Sequence, residues 1–105
     1  MNLRFDYLYR DAGNYKNWGD LVFLNKDNCD ACKLEQQARK FLIDGEFFVA
    51  EKAGIPDLRF QTHVNALDHE WHEFHAFIPT TEKANDPHAR DITAFIESLK
   101  YAASL

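Results

Sequence analysis

Apolar and polar residues alternate most regularly at the start of the chain, where Leu3, Phe5, Tyr7 and Tyr9 are interleaved with Asn2, Arg4, Asp6 and Arg10. Only Leu8 interrupts this two-residue period, which is that of a strand with one buried face. Asp11-Ala12-Gly13-Asn14 supplies turn residues, and Trp18 to Leu24 reads as a second strand returning beside the first. The period then changes. Leu34, Ala38, Phe41 and Leu42 fall at helical spacing behind Asp30, an N-cap residue, and Asp44-Gly45 is placed to end the helix. Lys33, Gln36, Arg39 and Lys40 make its polar face. Within Glu46 to Lys52 the continuous run Phe47-Phe48-Val49-Ala50 is too short for an independent helix and predicts a strand buried on both sides, closed by Gly54-Ile55-Pro56-Asp57.

Two runs rich in aromatic and β-branched residues come next, Arg59 to Val64 and His69 to Ile78, with turn chemistry at both ends of Asn65-Ala66-Leu67-Asp68 between them. They predict a hairpin. Alternation puts Phe60, Thr62 and Val64 on one face with His72, Phe74, Ala76 and Ile78. Arg59, Gln61 and His63 then share the opposite face with His69, Trp71, Glu73 and His75, and Arg59 is expected opposite Glu73. Asp86-Pro87 is a helix-start signal, an N-cap followed by proline where the missing N–H costs nothing, and Ile92, Phe95, Ile96 and Leu99 form one apolar stripe behind it. The predicted fold is α+β in two layers: a largely antiparallel sheet of about five strands with two helices against one face, in the order β-β-α-β-β-β-α.

The cluster His69-Glu70-Trp71-His72-Glu73-Phe74-His75 has the composition of a metal site but not the spacing. Zinc proteases place histidines four apart on a helix, and here they are three apart. On a strand, His72 points away from His69 and His75, which themselves lie about 20 Å apart. A helical conformation of this segment would be needed to gather them, so no metal and no cofactor is expected. Cys29-Asp30-Ala31-Cys32 opens a helix, the setting that activates a dithiol, but the chain order after it is not that of a parallel redox sheet, and a chance pair is the simpler reading. Arg59, Glu73 and His75 on one face also have the residue types of a general acid, a general base and a cationic stabiliser. Tyr7, Tyr9, Tyr15 and Trp18 have the makings of a stacking surface, though strand spacing favours core and rim roles.

At 105 residues the chain makes one domain, and 46% apolar composition with 14% aromatics is that of a folded protein. Seventeen acidic against twelve basic side chains leave a net charge of −5, which opposes tracking a phosphate backbone and favours a basic partner. The N-terminus MNLRFDYLYR has no apolar core behind a basic start, so no signal peptide is expected, and no apolar run approaches a membrane span. Two cysteines do not make a disulfide scaffold, so a cytoplasmic location with both thiols reduced is expected.

Three stretches, Tyr9 to Gly19 (YRDAGNYKNWG), Leu42 to Phe60 (LIDGEFFVAEKAGIPDLRF) and Asp68 to Phe74 (DHEWHEF), cover over a third of the chain. On these stretches it resembles a family of small uncharacterised bacterial proteins. The resemblance brings no activity with it, and Cys-x-x-Cys is not part of the shared pattern. Within the first stretch, Arg10, Asp11, Asn14, Tyr15 and Lys16 form a polar loop, either a self-satisfied turn or the rim of a binding site. The expected function is a protein-binding module with a basic protein partner, of the acidic inhibitor or immunity type. Its contact region is Arg59, His63, His69, Trp71, Glu73 and His75 with Arg10, Asn14 and Lys16, because indole and guanidinium groups most often anchor interfaces. The alternative is a small enzyme or metal protein using Glu73 with His72 or His75. Neither reading defines an oligomeric state.

Overall fold

The alternation in the first ten residues does produce a strand. In the computed structural model, which describes residues 1–60 and 69–103, β1 (Asn2–Arg10) buries Leu3, Phe5, Tyr7 and Tyr9 and lies between two antiparallel neighbours. On one side is β2 (Lys16–Phe23), joined to it by a turn in which Asn14 takes the left-handed conformation at φ 66°. On the other is β4 (His72–Thr80), which also pairs with the two-residue β3 (Phe47–Phe48), so the sheet order is β2-β1-β4-β3. Helices α1 (Ala31–Arg39) and α2 (Ile92–Ala102) both contribute to the core formed with Leu3, Phe5, Tyr7, Phe23, Phe48, Phe74 and Phe77. The fold is therefore α+β, an antiparallel sheet with both helices against one face. Phe95 of α2 stacks on Phe23 at 4.2 Å between ring centres and meets Phe5 at 5.0 Å.

Four strands are present among the described residues, in the order β-β-α-β-β-α, so the predicted elements need correction in several places. Arg59 and Phe60 are not extended into a strand, and the remainder of the predicted first hairpin strand, with its turn, lies outside the described residues. The strand predicted over residues 46–52 shrinks to Phe47–Phe48 because residues 50–54 turn, closed by Ala53 N–H to Val49 O and Gly54 N–H to Glu51 O. Asp30 caps α1 as expected, its carboxylate accepting the Lys33 N–H at 3.0 Å, but α1 ends at Arg39. Asp44-Gly45 instead makes the tight turn between Ile43 and Phe47, whose main chains exchange bonds of 2.9 and 3.0 Å.

The second helix starts five residues later than Asp86-Pro87 suggests. Asp86 spends its buried carboxylate on Arg90, and Ala89 at φ 50° breaks any helix begun there. Asp91 is the working N-cap, accepting from the Thr93 N–H at 3.1 Å.

The most consequential departure is in β4. Asp6 pairs with Ala76 but Tyr7 pairs with Phe74, so His75 is an extra residue in the ladder. This bulge reverses the alternation. His72 and Phe74 face the core before it, Phe77 faces the core after it, and Ala76 and Ile78 turn outward. The expected shared face of His72, Phe74, Ala76 and Ile78 is thereby split.

Candidate functional site

The face of the sheet away from the helices carries a row of side chains set by strand register. Trp18 on β2 pairs with Leu8 on β1, Leu8 with Glu73 on β4, and Glu73 with Phe47 on β3. At the usual strand spacing this row is about 14 Å across. Trp18 is 52% exposed and Leu8, within the row, only 4%. Trp71 extends the row at the β3 end, stacked on Phe47 at 5.8 Å, and His75 stands edge-on against Trp18 at 4.9 Å. The bulge places that imidazole beside the indole.

Two charges cross the middle of this face as an ion pair. Arg10 donates from Nε to Glu73 Oε2 at 2.9 Å and from Nη2 to Oε1 at 3.4 Å, and its Nη1 donates to Asn14 Oδ1 at 2.7 Å. The Arg10 to Lys16 loop is thus a self-satisfied turn that also holds the arginine of this ion pair. Asp11 accepts from the Tyr15 N–H at 2.9 Å, and the Asn14 N–H donates to Asp11 O at 3.0 Å. Tyr15 stands 72% exposed at its end.

Of the residues singled out in the sequence, Trp71, Glu73, His75 and Arg10 share this outer face, with Asn14 and Lys16 at its end. His69 sits at the margin, its Nδ1 accepting the Trp71 N–H at 3.1 Å and its carbonyl accepting the Tyr9 hydroxyl at 2.7 Å. His63 lies outside the described residues. Arg59 does not meet Glu73. It forks onto Asp57 two residues away, at 2.7 Å from Nε and 2.6 Å from Nη2, because a local carboxylate is reached at a smaller cost in chain entropy than a distant one. Phe47, Leu8 and Trp18 were missing from the predicted contact set. For Trp18 the signal was present, since Lys16, Trp18 and Asp20 alternate outward with Asn17 and Gly19 on the other side. Tyr7 and Tyr9 take the core role that strand spacing favours over a stacking surface. Both rings are core, and burial pushes the Tyr7 phenol pKa up while its hydroxyl donates to Pro56 O at 2.7 Å.

His72 occupies the opposite face and is 1% exposed. Its Nε2 accepts the Leu58 N–H at 2.9 Å, which requires an unprotonated Nε2, so the ring is neutral with its proton on Nδ1, 3.2 Å from Glu70 O. Burial lowers its pKa against the opposing pull of Asp57, whose Oδ1 lies 3.4 Å from Nε2. The Asp57 carboxyl is itself held low: burial pushes it up, and the hydrogen bonds from Arg59 outweigh that. Asp57, Arg59, Glu70 and His72 line a cavity of about 40 Å³, room for little more than a water. Glu73, His72 and His75 thus engage separate partners: Arg10, the Leu58 amide and Trp18. Among the described residues no three histidine, cysteine or acidic side chains are grouped to hold a metal ion.

Cys29 and Cys32 flank the Asp30 cap as free thiols, Cys29 half-buried and Cys32 exposed. Asn25 clamps the Cys29 main chain, accepting its N–H and donating to its C=O, each at 3.0 Å. Cys29 lines a cleft of about 320 Å³ with Met1, Leu3, Asn28 and Pro79. No helix among the described residues is long and apolar enough to cross a membrane. Comparison with models of protein families, with curated proteins and with solved structures finds no match.

Proposed function

We propose that the chain is a protein-binding module whose contact surface is the outer sheet face around Trp18, Phe47, Trp71 and the Arg10–Glu73 pair. The observation that supports this most is the register row Trp18–Leu8–Glu73–Phe47, with Trp71 stacked at its end. It sets large aromatics around a charge pair already neutralised within the chain. A partner docking here gains the aromatic area without desolvating an uncompensated charge, which is the energetic condition for an interface centre. Both helices lie on the other face, so among the described residues no element covers this one.

The partner that suits the surface is a basic protein. The chain carries −5 overall, and Glu70 beside Trp71 keeps 68% of its side chain exposed. Net charge steers encounter while the aromatic centre holds the complex. On this reading the chain is an acidic inhibitor or immunity-type protein acting in the cytoplasm of a bacterium, where its two thiols stay reduced.

The test is affinity capture followed by calorimetry of the captured protein. Trp71→Ala is expected to weaken binding by at least 10-fold, on the ~2 kcal/mol scale of an interface tryptophan. Glu97→Ala on α2 should leave it unchanged. Retention of every captured protein by Trp18→Ala plus Trp71→Ala, with the fold intact by circular dichroism, refutes the assignment.

A further inference from the structure

Among the described residues the β2 edge of the sheet is open, and its chemistry matches itself. Val22 turns both main-chain groups away from β1, its N–H donating to Asn85 Oδ1 at 2.8 Å and its C=O accepting the Asn85 N–H at 2.9 Å. Main-chain direction alternates along an antiparallel strand, so Asp20, Trp18 and Lys16 also direct N–H and C=O outward. Beyond Val22 no described residue takes up these groups. An edge of this kind is a template for another strand.

The side chains on the same stretch are mismatched inside the chain. Lys16 pairs in register with Arg10 and Asp20 with Asp6, like charges directly opposite each other, an arrangement that destabilises a sheet. Arg10 and Asp6 are already bonded to Glu73 and Arg4. Lys16 and Asp20 form no salt bridge among the described residues, and Asp20 acts at longer range on the Arg4 guanidinium and the Tyr7 phenol. Both are exposed, and so is Trp18 midway between them.

We infer that the β2 edge binds a second copy of this chain, β2 against β2 in antiparallel register about a two-fold axis at Trp18. In that register Lys16 faces the second copy's Asp20, Asp20 faces its Lys16, and the two Trp18 side chains meet on the axis. The outward N–H and C=O groups of all three residues are then paired, and both unmatched charges gain an opposite partner. Lysine alone on an edge strand would only repel another strand. An acid placed symmetrically about Trp18 turns that guard into a self-recognition code. The two sheets become one of eight strands, and the outer faces of the two copies adjoin. The inference stands on the main-chain groups and charges of the edge and not on the basic partner proposed above, although Trp18 belongs to both surfaces.

Sedimentation velocity over a micromolar to millimolar series tests it, with Lys16→Asp, Asp20→Lys and the double exchange. The wild type should show a reversible monomer–dimer equilibrium. Each single variant should stay monomeric yet be at least as heat-stable as wild type, because each places opposite charges across β1 and β2 where like charges stood. Mixed in equal amounts, the two single variants should associate, since one chain presents two acids and the other two bases. The double exchange should dimerise like wild type. A wild type that is monomeric throughout overturns the inference. So do single variants that dimerise unchanged, or a mixture of single variants that stays monomeric while wild type dimerises, which would place the interface elsewhere. The Trp71→Ala variant should dimerise normally, which separates this interface from the partner surface.

Discussion

Replacing His72 with leucine isolates what a buried neutral imidazole contributes to this fold. The ring lies 5.3 Å from Tyr9 and 6.1 Å from both Tyr7 and Phe48, and leucine keeps most of that packing. Leucine cannot accept the Leu58 N–H. Leaving that partly buried donor unpaired costs about 1–3 kcal/mol. At roughly 5 °C per kcal/mol for a domain of about this size, Tm should fall by about 5–15 °C. His72→Gln, whose amide oxygen can reach the position of Nε2, should recover part of the loss. A pH arm gives the sign. Burial lowers the folded pKa of His72 below its unfolded value, so the unfolded chain takes up the proton first. The stabilisation is complete above the unfolded pKa of about 6.5 and is lost as pH falls through the lower folded value. Urea denaturation of wild type and His72→Leu at pH values from 8 down to 5 reads both effects, and subtracting the curves removes the other histidines. A leucine variant within about 0.5 kcal/mol of wild type at pH 8, or with the same pH slope, would refute the assigned hydrogen bond.

Four further outcomes follow from the packing. Arg90 uses all its guanidinium donors, on Asp86 twice, Ala53 O, Gly54 O and Ser98 Oγ, so Arg90→Ala should cost about 3–5 kcal/mol in urea denaturation, with Arg90→Lys recovering only a minor part. Burial pushes the Asp86 carboxyl up, but the Arg90 hydrogen bonds outweigh it and hold the pKa low, so this contribution is present above about pH 4 and lost below, in an acid-unfolding profile that Asp86→Asn should flatten. Gly54→Ala should cost about 1 kcal/mol in thermal melts, because φ is +71° there and an added Cβ would meet His88 Nε2 at 3.2 Å. Asp30→Ala should cost about 1 kcal/mol and speed amide exchange at Lys33, whose N–H it leaves without its cap.

Features that depend on neighbours two to four residues apart were legible in the sequence. The alternation of β1, the Asp30 cap and the apolar stripe of α2 all belong to this class. Features decided by distant partners were not. Asp86-Pro87 has the chemistry of a helix start, but Arg90, locked to Ala53 O and Gly54 O across the core, draws the Asp86 carboxylate into a buried fork and leaves capping to Asp91. The site divides the same way. Trp71, Glu73 and His75 share a face through the alternation visible in DHEWHEFH, although His75 keeps its place there at the start of the bulge. The partner of Glu73 is Arg10, 63 positions away, and nothing local distinguishes it from Arg59. Phe47 was hidden inside an apolar run whose two faces look alike.

The bulge at His75 is where the core and the outer surface become one problem. A strand of strict alternation from His72 onward would bury Ala76 and Ile78 and turn Phe77 to solvent. One extra residue exchanges them, so that Phe77 packs against Phe5 at 5.4 Å and Phe74 at 5.0 Å. The exchange needs somewhere for the extra peptide group to bond, and Arg39 supplies it. Its Nη2 reaches the His75 carbonyl at 3.2 Å, its Nη1 the Gly45 carbonyl at 2.9 Å, and its guanidinium lies 4.6 Å over the Phe74 ring. The same arginine is anchored to Glu35 within α1 at 3.1 Å, so the helix on the buried face fixes the irregularity whose other product is an imidazole against Trp18. The surface proposed to bind a partner is therefore set by core packing: the aromatic demand of Phe5 for Phe77 fixes the bulge, and the bulge fixes where His75 and Trp18 meet.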